Sequence, residues 1–247
     1  MPIGKRRRSD GSMPNFWSLT GNEQYDVGCT GRTVYLYDKN GNEIAKFNDL
    51  PYAYTAAISP RGDIFVIKTT EGRMAVYSFE PPMLMKKFRF SKVDGAQDDG
   101  FCFSPDGTEF YNIERHHDSC KTALSIYDTK DFSLKRRILN EDFSTVISEI
   151  EYCADTDEIY LLGFFRNQDG VAEKYFVGKL KNDLLTDFVQ ISNEEYMFFR
   201  AVLGLRMRGY TKKAYAWSYI DIELEKLKIS EHSLARLWHR ETAKRLS

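Results

Sequence analysis

Along most of this chain the apolar positions alternate with polar ones over short runs, and turn-forming residues separate the runs. Val34-Tyr35-Leu36-Tyr37-Asp38, Met74-Ala75-Val76-Tyr77-Ser78 and Leu124-Ser125-Ile126-Tyr127-Asp128 are three such runs. A period of two is that of a strand whose side chains point to alternate faces. Lys39-Asn40-Gly41-Asn42 contains an Asn-Gly pair, which tolerates the positive φ angles of a tight hairpin, and Glu71-Gly72 and Asp169-Gly170 are similar signals. The pattern predicts strands throughout, with no long helical pattern before residue 230.

The runs repeat. Ile58-Ser59-Pro60-Arg61-Gly62-Asp63-Ile64-Phe65-Val66 and Phe103-Ser104-Pro105-Asp106-Gly107-Thr108-Glu109-Phe110-Tyr111 share a strand, a Pro-Gly turn and a second strand, with their prolines 45 residues apart. After each comes a strand ending in Tyr and a polar residue; Tyr37, Tyr77 and Tyr127 are spaced by 40 and 50. Weaker copies are Tyr175-Phe176-Val177-Gly178-Lys179 and Trp217-Ser218-Tyr219-Ile220-Asp221. Strands in fours at this period are the signature of propeller blades, which bury their two faces by packing radially. That explains strands apolar on both sides, such as Phe101-Cys102-Phe103 and Ile159-Tyr160-Leu161-Leu162.

The expected fold is all-β: a small β-propeller of about five four-stranded blades with a C-terminal α-helix. The blades fall at about 15–50, 51–92, 97–140 and 146–191, and a degenerate fifth unit runs from about 192 to 229. In that unit Ser192-Asn193-Glu194-Glu195 reads as an eroded Ser-Pro-Asp-Gly turn. Four blades plus an extra strand pair is the alternative, and seven blades would need on the order of 280 to 315 residues. The domain reading is a basic tail over 1–14, a propeller over 15–229 and an amphipathic helix over 230–247.

Ser-Pro-Asp-Gly at 104–107 followed by Leu-Ser-Ile-Tyr-Asp at 124–128 resembles WD-repeat and related propeller families, and residues 19–38 fit the middle of one blade. The similarity spans roughly residues 15–190. It implies a propeller fold and a face that binds a partner, with the loops between second and third strands on that face. The sequence departs from the family in having Tyr-Asp in place of Trp-Asp and in lacking the Gly-His pair, so the family's internal hydrogen-bond relay is not expected.

Ser230 is placed to cap a helix over about 231–246. Leu234, Leu237, Trp238 and Leu246 share one face of it, and Arg236, Arg240, Lys244 and Arg245 make other positions basic. The reading is a helix packed on the propeller, with a partner-binding helix as the alternative. Lys5-Arg6-Arg7-Arg8 is read as a solvated tail.

The formal net charge of −1 does not suit a dedicated nucleic-acid binder. No apolar stretch approaches the roughly 18 residues of a membrane helix. Cys29, Cys102, Cys120 and Cys153 form no CxxC pair and read as reduced thiols of a cytoplasmic protein. No feature of the sequence speaks to oligomeric state.

Candidate chemistry is sparse. Arg115-His116-His117-Asp118-Ser119-Cys120 groups metal-ligating residue types, but neighbouring side chains of an extended chain point to opposite sides, so recognition is favoured over a metal there. Asp94, Asp98, Asp99, Glu149 and Glu151 suit a carboxylate or calcium site in a central channel. On that alternative the protein is a small propeller hydrolase or sugar-binding protein acting through Asp98, Asp99 and Glu149. No phosphate-binding Gly-rich loop, nucleophile elbow or HExxH is present.

The favoured expectation is a non-catalytic module without cofactor or metal that presents one propeller face to a partner protein. Tyr52, Tyr54, Asp98, Asp99, Arg115, His116, His117, Asn167, Gln168 and Arg200 are the candidate partner-binding residues, since aromatics and Arg dominate binding hot spots.

Overall fold

Four strands joined in succession by tight turns pair most readily with their chain neighbours, and this chain does so four times. The computed structural model describes residues 16–90, 100–115, 122–139, 144–208 and 233–246. Sheet A is β1 (Ser18–Gly21), β2 (Tyr25–Cys29), β3 (Val34–Asp38) and β4 (Glu43–Phe47). Sheet B is β5 (Ala53–Ile58), β6 (Ile64–Thr69), β7 (Arg73–Ser78) and β8 (Met83–Arg89). Sheet C is β9 (Phe101–Phe103), β10 (Glu109–Arg115), β11 (Thr122–Asp128) and β12 (Leu134–Leu139). Sheet D is β13 (Thr145–Cys153), β14 (Glu158–Arg166), β15 (Ala172–Lys181) and β16 (Leu184–Ile191). Each is an antiparallel meander in chain order, and the four quartets fall where the repeat places them. The basic segment 1–14 lies outside the described residues.

The repeat extends to a defect. In all four sheets the third and fourth strands slip register at one place, between Leu36 and Tyr37, Val76 and Tyr77, Ile126 and Tyr127, and Gly178 and Lys179. Those are the positions of the repeated Tyr-polar motif and its weaker copy. The extra residue always sits on the outer strand: Ile44, Met85, Lys135 or Asp187. A bulge of this kind twists an edge strand away from straight pairing, and it leaves Ile44 and Met85 exposed on a sheet margin.

The turns between first and second strands repeat too. Gly62 N donates to Ser59 O at 2.8 Å and Gly107 N to Ser104 O at 2.9 Å, with φ of 71° and 68° at the two glycines. In the second turn the Asp106 carboxylate accepts from Ser104 Oγ at 2.6 Å, from Thr108 N at 3.0 Å and from Thr108 Oγ1. These donors hold the Asp106 carboxyl at about 2.

The sheets belong to two compact units, the first with sheets A and B and the second with sheets C and D. In the first, Val27, Cys29, Val34 and Leu36 of sheet A pack with Ala53, Ala56, Phe65, Ile67, Ala75 and Tyr77 of sheet B. In the second, Tyr111, Ile113, Leu124 and Ile126 of sheet C pack with Ile147, Ile150, Ile159, Leu161 and Phe176 of sheet D. The innermost strands meet closely: Gly100 N donates to Ser148 O at 2.9 Å, and a Cβ on Gly100 would lie 2.8 Å from Ile150 N.

The other face of sheet C buries polar groups. Glu114 accepts from Tyr127 Oη at 2.6 Å, from Asn112 Nδ2 at 3.2 Å and from Arg137 Nη2 at 2.9 Å, while Arg137 Nε donates to Ser125 Oγ at 3.0 Å. This relay ties β10, β11 and β12 together through side chains. It satisfies a carboxylate that burial alone would make costly.

The chain after sheet D departs from the expected fifth strand unit. Residues 193–208 form α1 (Asn193–Arg208), and α2 (Leu234–Leu246) follows the undescribed stretch 209–232. The motif Ser192-Asn193-Glu194-Glu195 is a capping box, not an eroded turn. Glu195 N donates to Ser192 Oγ and Ser192 N to Glu195 Oε2, both at 3.1 Å. Tyr196, Phe199, Val202 and Leu203 recur at helical spacing and are buried. Ser233, not Ser230, caps α2 through Arg236 N at 3.2 Å; Ser230 lies outside the described residues. Leu234, Ala235, Leu237 and Trp238 are buried as expected, but Leu246 is 85% exposed, because it lies past the last turn that touches the sheet. The two helices cover the face of sheet D opposite sheet C, against Tyr160, Leu162, Val177, Val189 and Ile191.

Arg240 joins the helices by ion pairs to Glu195 and Glu241. Burial opposes the charge of Glu241, yet Lys244 and Arg240 outweigh it and hold its carboxyl below the usual range.

Trp238→Ala is expected to lower the unfolding free energy by about 3–5 kcal/mol, as for other buried aromatics, and Ser192→Ala by about 1 kcal/mol through loss of the cap. Urea titration of both variants checks this ranking. The Asp106 turn gives a pH signature. Its carboxyl titrates lower in the folded chain than the ordinary value of about 3.9, so its contribution is complete above that pH and is lost as pH falls toward about 2. The melting-temperature gap between the parent and Asp106→Asn should be widest above pH ~5 and close toward pH ~2.

Candidate functional site

In the first unit the loop between second and third strands of sheet A reaches the entry to sheet B. Gly31 and Ala53 form a two-way backbone bridge, with Gly31 N donating to Ala53 O at 3.0 Å and Ala53 N to Gly31 O at 3.1 Å. Thr33 Oγ1 donates to Asn48 Oδ1 at 2.7 Å, and Thr70 N donates to Tyr52 O at 3.3 Å. The connections 30–33, 48–52 and 70–72 are thereby drawn to one end of the two sheets.

Three aromatic side chains gather at this end. Trp17 precedes β1 and is tied to β2 by its N–H, which donates to Cys29 O at 2.7 Å. Its ring meets Tyr54 edge to face, at 6.0 Å between centroids and 74° between planes. Tyr52 immediately precedes Ala53, the residue bridged to Gly31. Trp17 is 46% exposed and Tyr52 57% exposed. Tyr52 also has φ of 57°, a left-handed conformation that a bulky residue adopts at a cost of order 1–3 kcal/mol. The rigid bridge holds it there. Cys29 beneath is fully buried, and burial pushes its thiol up to about 12, which leaves it unreactive.

Arg32 follows Gly31 in the same loop and is exposed. A Cβ on Gly31 would stand 3.7 Å from Trp17 Nε1, so the guanidinium extends from chain that abuts the Trp17 ring. Arg32 has no acidic partner among the described residues. Of the acids in the neighbouring loops, Glu71 pairs with Arg73 at 3.7 Å, and the charge of Asp49 adds to burial in raising the Tyr77 hydroxyl above its ordinary value. Trp17 and Arg32 were not among the sequence candidates. The available signal was an isolated Trp ahead of a strand and a Thr-Gly-Arg-Thr turn.

The remaining candidates distribute differently. Tyr52 and Tyr54 are together in the first unit. Asn167, Gln168 and Arg200 belong to the second. Asn167 organises the β14–β15 turn, its Oδ1 accepting from Asp169 N at 3.0 Å and Val171 N at 2.9 Å; Gln168 is exposed beside it. Arg200 projects not from a loop but from α1, one turn beyond Tyr196. It lies near enough to lower the Tyr196 hydroxyl's pKa, against the larger opposing effect of burial. Tyr196 Oη lies 2.9 Å from Ser148 Oγ. Arg115 closes β10 opposite Thr122; its side chain, Asp98, Asp99, His116 and His117 lie outside the described residues.

Of the carboxylates proposed for a channel site, Asp94, Asp98 and Asp99 lie outside the described residues. Glu149 is buried at the β13 bulge. Glu151 accepts from Leu234 N and thereby caps α2. Among the described residues no cluster of three or more His, Cys, Asp and Glu is disposed to hold a metal ion, and no helix is long and apolar enough to cross a membrane. A concavity of about 380 Å³ lies between the end of β16 and α2. Its Glu195 and Glu241 are already matched by Arg240 and Lys244.

No protein-family model matches the sequence, and no curated protein matches it.

The left-handed backbone at position 52 is open to direct test. Tyr52→Gly is expected to be more stable than Tyr52→Ala by about 1 kcal/mol, since only glycine adopts positive φ without a Cβ penalty. Chemical denaturation of the pair measures the difference.

Proposed function

We propose that this chain is a non-catalytic interaction module of propeller-like build, which presents the loop-bearing end of its sheets to a partner protein. The observation that carries the reading is the exposure of Trp17, in ring contact with Tyr54, and of Tyr52 at one end of the two sheets. Exposed aromatic side chains on a stiff strand framework are what binding hot spots use. A strained residue persists only where its surroundings over-determine it, and Tyr52 is both strained and exposed. Nothing in the folding of sheets A and B requires a tyrosine there, since its ring is not part of their shared core.

The finer architecture belongs to the same proposal. The recurring bulge and turn support reading the sheets as blades akin to those of the WD-repeat-like propellers that the motifs resemble. Cys29, Cys102 and Cys153 are free thiols, in keeping with a reducing, cytoplasmic setting.

The test is quantitative. A partner recovered by affinity purification and identified by mass spectrometry is titrated against the parent chain, Trp17→Ala and Tyr52→Ala. Each substitution should weaken binding by about tenfold or more, the range of interface hot spots, with the circular dichroism spectrum preserved. A partner bound equally by all three proteins would remove this surface from the reading.

A further inference from the structure

The proposed surface carries an electrostatic asymmetry that specifies its occupant. The loops at this end carry Arg32, Asp49, Glu71 and Arg73, and Lys87 Nζ donates to Asp49 O at 3.3 Å. Glu71 is paired with Arg73 at 3.7 Å, while Arg32 has no acidic partner among the described residues. A guanidinium presents a rigid fork of N–H donors that matches a carboxylate in two parallel hydrogen bonds. Carried on the loop that abuts the Trp17 ring at Gly31, it favours a ligand that brings a carboxylate and an apolar surface close to each other.

Resting on the interaction-module reading, we propose that the occupant of this surface is an acidic, extended peptide segment of a partner protein, with a carboxylate on Arg32 and apolar side chains on the Trp17 and Tyr52 rings. The geometry favours a short extended segment over a helix. The anchoring loops 30–33, 48–52 and 70–72 are bound to one another by backbone hydrogen bonds at the Gly31–Ala53 bridge and at Thr70–Tyr52. They form a fixed end of the sheets, and rings standing on such a surface contact a chain that lies across them. Stiff extended segments lose little conformational entropy when they dock on aromatic side chains. Arg32 contributes recognition of charge, so its influence weakens as salt rises.

The probes are a ten-residue Glu-Pro repeat peptide and the matching Lys-Pro repeat, each titrated into the full chain at low salt, with tryptophan fluorescence and calorimetry as readouts. The parent should bind the Glu-Pro peptide about tenfold or more tighter than the Lys-Pro peptide. Arg32→Glu, a change at an exposed position, should invert that preference while leaving the melting temperature unchanged. Trp17→Phe should bind with an altered fluorescence response, which locates the contact. Equal binding of both peptides to the parent, an unchanged preference in Arg32→Glu, or no Glu-Pro binding at millimolar concentration would each overturn the proposal. The purified partner separates this idea from its premise. Loss of binding on Trp17→Ala and Tyr52→Ala with full retention on Arg32→Glu keeps the surface and discards the acidic segment. Retention in all three variants discards both.

Discussion

A four-stranded antiparallel meander has two faces, and every sheet of this chain carries buried side chains on both. Val27, Leu36 and Cys29 look one way from sheet A while Tyr35 and Tyr37 look the other, and all are buried. Sheets of this kind are unstable alone, since apolar surface left in water forfeits the main favourable contribution to folding. Stacking sheet on sheet removes the penalty within each unit. Sheet D meets the same requirement in two ways, with sheet C on one face and α1 and α2 on the other. Helix and sheet are interchangeable here because the need is for apolar area, which has no directional preference.

Stacked meanders leave each fourth strand as an edge. The repeated bulge answers that hazard at the same position of all four sheets, and it does so by adding a residue to the outer strand. The fourth strands of sheets B and C also carry Lys86, Lys87 and Arg89 on β8 and Lys135, Arg136 and Arg137 on β12, a second deterrent to pairing with other chains. Sheet C adds a polar device, the Glu114 relay. A carboxylate with three donors, one of them a guanidinium, fixes the relative placement of three strands more specifically than apolar packing alone.

Rigidity at the sheet ends has a functional side. Loops tied to each other by backbone hydrogen bonds hold side chains at fixed points, so that ordering them costs little when a ligand arrives. The end of the first unit has this character at Gly31, Ala53, Tyr52 and Thr70. The second unit uses its corresponding loop differently, with the Asn167 side chain turned inward to shape its own hairpin. Equivalent loops of a repeat therefore differ in whether their side chains are turned inward or left exposed, without any change in the strands that carry them.

The strands, their grouping in fours and the boundaries of the four quartets were legible in the chain, because period-two alternation and Gly- or Asn-centred turns are local properties. The buried face of α2 was legible for the same reason. The helix at 193–208 was legible in principle, since Ser192 and Glu195 form a capping box in the sequence, but a repeat read forward from four strand quartets favoured a fifth. What decided for a helix over 193–208 was tertiary: the outer face of sheet D, where Tyr196, Phe199 and Leu203 find an apolar partner. The candidate site divides in the same way. Tyr52 and Tyr54 could be chosen as aromatics in a loop, whereas Trp17 and Arg32 join them only through the Gly31–Ala53 bridge, a contact between residues too far apart in sequence for any local pattern to record.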